Sequence, residues 1–142
     1  MAKVIYNNLI PFKGYQAMAF WPVIFARTAA KYLQGYVKNH ESIHLRQQFE
    51  VLVVSVALLL MLILSLDLSW WWMALAPFVY YIWYVTEYLV RLCLYRNHKE
   101  AYRNISTEQE AFMYQMDFNY LPKDRKPFAW VKYLGRKTYR RK

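Results

Sequence analysis

The middle of the chain is a block of apolar residues that divides into two runs. The first, Val51–Leu66, contains 16 apolar or small residues, slightly fewer than a bilayer-crossing helix usually needs. Asp67 and Ser69 interrupt the block, and the second run, Trp70–Val90, begins with three consecutive tryptophans, which are typical of a membrane interface. The pattern therefore predicts a hairpin of two transmembrane helices, the second kinked at Pro77.

Basic residues flank this block and predict its orientation. Of the 19 Lys and Arg residues, six lie in residues 1–46 and 13 in residues 91–142. Because positively charged segments stay on the cytoplasmic side, both termini are expected in the cytoplasm of a bacterial cell, with the hairpin in the inner membrane. A hairpin that enters the bilayer without crossing it also fits the short first run. Either arrangement returns residues 91–142 to the side of residues 1–46.

Composition changes this picture little. A chain that is 58% hydrophobic with a net charge of +10 is not a disordered segment. Its basic ends could bind nucleic acid, but beside a membrane hairpin they favour the lipid bilayer and its anionic headgroups as partners. The lone Cys93 excludes an intramolecular disulfide and a multi-cysteine zinc site.

The N-terminal region has too few consecutive apolar residues to form a third transmembrane helix. Gly14–Ala26 has 13 residues, and Met18–Arg27 is the segment best placed to form an edge strand. We predict a mainly α fold: a membrane helical hairpin with a small zincin-like site at the cytoplasmic face, and one short N-terminal β-hairpin or edge strand. The chain is interpreted as one membrane-anchored domain, 1–142, whose parts are 1–46, 47–95 and 96–142.

The residues most indicative of chemistry are His40, Glu41 and His44, which form an H-E-x-x-H motif. On a helix the two histidines share one face and can bind the same Zn²⁺, while the glutamate can act on water at the metal. Asn39 is a good N-cap, so we expect one continuous helix from about Asn39 to Leu66. His44 would then lie about 10 Å before the apolar run, at the membrane surface.

A catalytic zinc needs a third protein ligand. The hairpin returns the later acidic residues to the motif, and the stretch at 106–111 stands out because it opens a helix. Thr107 and Glu110 have the spacing of a capping box, which leaves Glu108 free. We therefore expect Glu108 to be the third ligand, followed in order of preference by Glu110 and His98.

At this point the sequence resembles a zinc metallopeptidase of the gluzincin type. The stretch from Glu108 to Ala111 is similar to the E-x-x-A-[D] helix of CAAX-processing membrane peptidases, although Phe112 stands where that pattern has Asp. The chain also resembles small uncharacterised bacterial membrane proteins that carry H-E-x-x-H and a later E-x-E-A helix. The resemblance implies that both histidines and Glu108 hold one zinc and that Glu41 is the catalytic base. The sequence offers four candidates for an oxyanion-stabilising group: Tyr102, Arg103, Tyr114 and His98.

Three functions follow as hypotheses. The first is a membrane-bound zinc metallopeptidase that hydrolyses peptide or protein substrates at the cytoplasmic face through a zinc-activated water. The second is a non-enzymatic small membrane subunit or adaptor with a structural metal. The third is a membrane-tethered nucleic-acid binder that uses the basic C-terminal tail, residues 123–142.

Overall fold

One long helix organises the chain in the computed structural model, which describes residues 3–11, 14–28 and 33–139. Helix α1, Gly35–Leu66, has 32 residues and is therefore about 48 Å long. Most of its buried side chains lie before Val51, whereas most of the apolar side chains after that point are exposed. Within the described residues, α1 is the one helix long and apolar enough to cross a membrane.

The second predicted span is not a single kinked helix. Trp70–Phe78 forms a 3-10 helix, and helix α2, Val79–Tyr95, follows it with 17 residues. Pro77 has no N–H to donate to the preceding turn, so regular α-helical pairing begins only after it. These two elements still return the chain along α1, because the Tyr80 hydroxyl reaches Gln47.

The N-terminal residues form a small sheet of three strands, β1 (Lys3–Asn7), β2 (Ala17–Phe20) and β3 (Val23–Arg27). The expected hairpin is present as antiparallel β2 and β3, with Pro22 in the turn between them. Strand β1 was not expected, and it pairs parallel to β3, which leaves β2 at an edge. The sheet packs on α1 through a buried apolar cluster that consists of Ala17, Ala19, Ile24, Ala26 and Leu45.

The returning part of the chain forms short helices. These are α3 (His98–Arg103), α4 (Ser106–Tyr114), a π-helical turn (Tyr120–Asp124) and a 3-10 helix (Ala129–Tyr133). Helix α4 packs against the first half of α1, while α3 packs on α2 and the last 3-10 helix packs on α4. Helix α4 meets α1 where Ile43, Ala111 and Tyr120 are buried together. The tail is tied down as far as residue 139, because Asn104 Oδ1 accepts hydrogen bonds from the backbone N–H groups of Thr138 and Tyr139.

Both predicted helix starts are wrong, for the same reason. Helix α1 begins at Gly35, and Asn39 lies inside it. The Asn39 amide instead donates to carbonyl groups at the end of α4, those of Tyr114, Gln115 and Asp117. Helix α4 begins at Ser106, whose backbone N–H and hydroxyl donate to Glu87 of α2, and the capping box of Thr107 and Glu110 does not form. In both cases the polar groups bond to another helix, which local sequence does not reveal.

Candidate metal centre

The two histidines of the motif face each other on one side of α1. His40 and His44 are one turn apart and both are buried. Their Nε2 atoms are 3.1 Å apart. Two imidazole nitrogens this close can both donate a lone pair to the same metal ion.

Helix α4 supplies the third group to this pair. The Glu108 carboxylate places Oε2 3.4 Å from His40 Nε2 and Oε1 3.3 Å from His44 Nε2. The three residues together form a buried group whose candidate ligand atoms lie within 4.8 Å of one another. The structure therefore brings together the three residues predicted as ligands, from segments more than 60 positions apart in the sequence.

The spacing of the two imidazole nitrogens is close to that of ligands on a tetrahedral metal ion. Ligand atoms about 2.1 Å from zinc at tetrahedral angles are about 3.4 Å apart. The two imidazole nitrogens are 3.1 Å apart, each lies 3.3 or 3.4 Å from a different oxygen of Glu108, and one ligand atom from each residue lies within 4.8 Å of the others. Within the described residues, Glu108 Oε2 is also buried without a hydrogen-bond partner, as expected of an atom that has a metal to bind.

Glu108 is held in its charged form. Burial by itself raises the pKa of this carboxyl, but the adjacent His44 and His40 imidazoles outweigh burial and hold it well below its ordinary value. Burial by itself lowers the pKa of His44, but Glu108 outweighs burial and raises that pKa to about 9, so the metal-free site holds an ion pair. A divalent cation that binds there would displace the His44 proton.

Glu41 lies beside this group at the wall of a cavity of about 370 Å³. It is buried, and it shares the cavity with the three candidate ligands. The rest of the wall is mainly apolar and aromatic: residues of β2, of α2 and of the segment before β2 contribute Ala17, Met18, Ala19, Pro11, Tyr15, Tyr80, Tyr81, Tyr84 and Tyr88. An acidic group, three ligand-type atoms and space for a substrate thus meet at one place.

Tyrosines of α2 were missed as site residues. The Tyr84 hydroxyl donates to Glu108 Oε1 at 2.8 Å, and Tyr80 and Tyr88 line the same cavity. Their spacing of 80, 84 and 88 marks one face of a helix, a signal that is present in the sequence. Tyr102 of α3 also lines the cavity; burial and the neighbouring Glu108 raise its pKa, so its hydroxyl keeps its proton.

Behind the histidines lies a buried network of polar and charged groups. Gln47 contacts His44 on one side and Glu110 on the other. Glu110 binds Arg125, which also binds Glu50 of α1. Burial favours loss of the Arg125 proton, but these two carboxylates outweigh it and raise the pKa of the guanidinium above its usual value. The network joins α1, α4 and the π-helical turn.

The other residues predicted for the site make contacts outside the group of three candidate ligands. Glu110, the second choice for the third ligand, is occupied by Arg125 and Tyr120. His98, the third choice, lines the cavity but pairs with Tyr88, at 2.7 Å. Arg103 lies over the rings of Phe112 and Tyr139, and Tyr114 stacks on Tyr120. Phe112 contacts the His40 ring, with ring centroids 4.7 Å apart.

Comparisons with known proteins add no assignment to this geometry. Searches against protein-family models, curated proteins and solved structures return no match. The chemistry of the site therefore follows from its own residues, which are a buried His-His-Glu group with metal-binding spacing, a neighbouring buried glutamate and an adjoining cavity.

Proposed function

We propose that this protein is a membrane-bound zinc metallopeptidase that hydrolyses peptide bonds at the cytoplasmic membrane face. The observation that carries the proposal is the buried group of His40, His44 and Glu108, whose candidate ligand atoms lie within 4.8 Å of one another. Zinc fits better than a hard cation such as magnesium, because two of the three ligand atoms are imidazole nitrogens.

The number of ligands favours a catalytic over a structural metal. Structural zinc sites are usually closed by four protein ligands, whereas catalytic sites keep three and leave one position open. Here three ligand-type side chains meet within the described residues, and the open side faces the cavity that Glu41 also lines. This geometry favours the enzyme over the alternative of a small membrane subunit with a structural metal.

Each residue then has a defined part in hydrolysis. Bound zinc would supply a Lewis acid that polarises the substrate carbonyl and lowers the pKa of water. Glu41 accepts the proton of the attacking water and returns it to the leaving amine. Tyr84 and Tyr102 line the cavity with hydroxyls that interact with Glu108, and they can stabilise the oxygen anion that develops on the carbonyl. Of the earlier candidates for that task, Tyr102 is retained.

Strand β2 offers a means of holding an extended peptide. It is one of the two edge strands of the sheet, and its Ala17, Met18 and Ala19 line the cavity. The Ala19 carbonyl points away from β3, since it accepts a hydrogen bond from Gln48 of α1. Ala17, two residues earlier, directs its peptide groups to the same edge. A substrate backbone can pair there as an added strand.

The membrane part of the proposal rests on α1. Its second half exposes apolar side chains that a protein in water would bury, and the basic residues flank the apolar block. We propose that the apolar half of α1 inserts into the inner membrane and that the 3-10 helix returns the chain to the level of Gln47, where α2 begins. Both termini then lie in the cytoplasm. The basic ends would then contact anionic headgroups.

The decisive experiment compares the wild type with Glu41→Gln. Full-length protein purified in detergent under metal-replete conditions should contain about one zinc per chain, and it should cleave members of a degenerate peptide library, followed by mass spectrometry. The Glu41→Gln variant should keep the zinc and lose cleavage, because the amide cannot accept the proton.

The matched control makes the same acid-to-amide change at the far end of α1. Asp67 is exposed and has a left-handed backbone conformation, which Asn tolerates. Asp67→Asn should therefore leave both zinc content and cleavage unchanged. A zinc-free wild type would refute the metal site, and a Glu41→Gln variant as active as wild type would refute the enzymatic role while leaving a structural metal.

A further inference from the structure

Gln47 is fully buried and lies one turn after His44 on the same face of α1. Its amide nitrogen donates to the Thr107 carbonyl at 3.1 Å and to Glu110 Oε2 at 2.9 Å. The Thr107 carbonyl can only accept hydrogen bonds, and so can a Glu110 carboxylate bound to Arg125. The amide therefore has one orientation, because the reverse would place its oxygen against two other oxygens.

This orientation determines which atom of the Gln47 amide contacts His44. Gln47 Oε1 lies 2.8 Å from His44 Nδ1 and also accepts a hydrogen bond from the Tyr80 hydroxyl. An amide oxygen has no proton to give, so the hydrogen bond requires a proton on Nδ1. A neutral imidazole carries only one proton, and Nε2 is then left with a free lone pair that faces His40 and Glu108.

The His40 ring is not fixed by such a hydrogen bond within the described residues. Its Nδ1 is buried and has no hydrogen-bond partner among the described residues. The two histidines of the motif are therefore not equivalent: one is fixed in a single tautomer by an amide, and the other is positioned by packing against Phe112.

We propose that Gln47 is a positioning residue that sets His44 to bind zinc through Nε2. This inference rests on the proposed zinc site. Gln47 is itself held by Glu110, which Arg125 and Tyr120 anchor. Groups that orient a metal-binding histidine in this way typically change metal affinity 10–100-fold when they are removed.

The test measures zinc affinity in Gln47→Met, which preserves side-chain length and removes the amide. Full-length protein in detergent is titrated with zinc against a competing chelator, and zinc binding should weaken by about 10–100-fold. The matched control is Gln109→Met, another buried glutamine, whose amide bonds Asn104 and Arg136 and contacts none of the three ligands. It should bind zinc with about the wild-type affinity.

A second measurement does not depend on any variant. In zinc-loaded wild-type protein with ¹⁵N-labelled histidine, NMR should show His44 with its proton on Nδ1 and the metal on Nε2. Metal on Nδ1 would overturn the inference even if Gln47→Met fails to fold.

The remaining outcomes separate this inference from the proposed function. A wild type that binds no zinc refutes both. A wild type that binds zinc, with Gln47→Met binding equally well, refutes only the role of Gln47. Equal weakening in Gln47→Met and Gln109→Met, with equal loss of thermal stability in the metal-free proteins, would assign the effect to packing and also refute that role.

Discussion

Replacing Arg125 by Met should destabilise the protein severely, since this guanidinium is the only cation that reaches Glu110 within the described ion pairs. The Arg125 side chain is 2% exposed and binds both Glu50 and Glu110. Met retains the apolar stem but removes the charge. Glu110, which is 0% exposed, then keeps only neutral donors, the Tyr120 hydroxyl and the Gln47 amide.

The magnitude follows from what each carboxylate retains. Removing one partner of a buried ion pair costs about 3–5 kcal/mol. Glu50 loses less than Glu110, because it still accepts from the Phe128 backbone N–H and lies 3.7 Å from half-exposed Arg46. We therefore expect a total of about 3–5 kcal/mol, not twice that. For a chain of this size the loss corresponds to a fall in Tm of about 10–15 °C.

Thermal unfolding of the purified protein in detergent measures this loss. Lys126→Met, the same type of change at the exposed neighbour, should leave Tm nearly unchanged. Adding Glu110→Gln to Arg125→Met should recover part of the loss, because it removes the charge left without a partner. If Arg125→Met costs less than about 1 kcal/mol, the network is not a buried ionic one and the reasoning is refuted.

Two further predictions concern the metal and the membrane. Zinc at 100 times its Kd should stabilise the metal-free protein by about 2.7 kcal/mol in thermal unfolding, and Glu108→Gln should abolish most of that shift; a full shift in the variant would exclude Glu108 as a ligand. Leu60→Arg, in the exposed apolar half of α1, should cost about 3 kcal/mol of membrane insertion and move protein from carbonate-washed membranes to the soluble fraction. Met116→Arg, at an exposed apolar side chain beyond α4, should leave the membrane fraction unchanged, and equal behaviour of the two variants would argue against an inserted α1.

Local sequence accounts for much of the candidate site. The spacing of His40 and His44 determines their shared face on any helix, whatever its length. Glu108 could be singled out because the chain must return to the motif after the apolar block. The N-terminal hairpin could be anticipated from the short segment around Pro22. These features depend on periodicity and on chain reversal, both of which are visible in the residues.

Other features depend on contacts between distant segments and have no local signal. Arg125 lies in a stretch with basic neighbours, and nothing in its spacing distinguishes it from exposed Lys123 or Lys126. Asn39 has the residue type of an N-cap, yet it caps α4 from inside α1. The 3-10 helix before α2 was also missed, since a proline kink and a change of helix type give the same apolar pattern.

His40 and His44 lie on the same unbroken helix as the apolar half of α1, so the helix fixes the distance between these histidines and the apolar residues. His44 precedes Val51 by seven residues, so the candidate ligand atoms are held about 10 Å from the first apolar turn. In the membrane-bound state proposed here, a peptide bond meets the metal only at that height above the lipid. The distance between a substrate's own anchor and its scissile bond would then select the cleavage site. Two substrates of unrelated sequence would then be cleaved at the same distance from their membrane anchors.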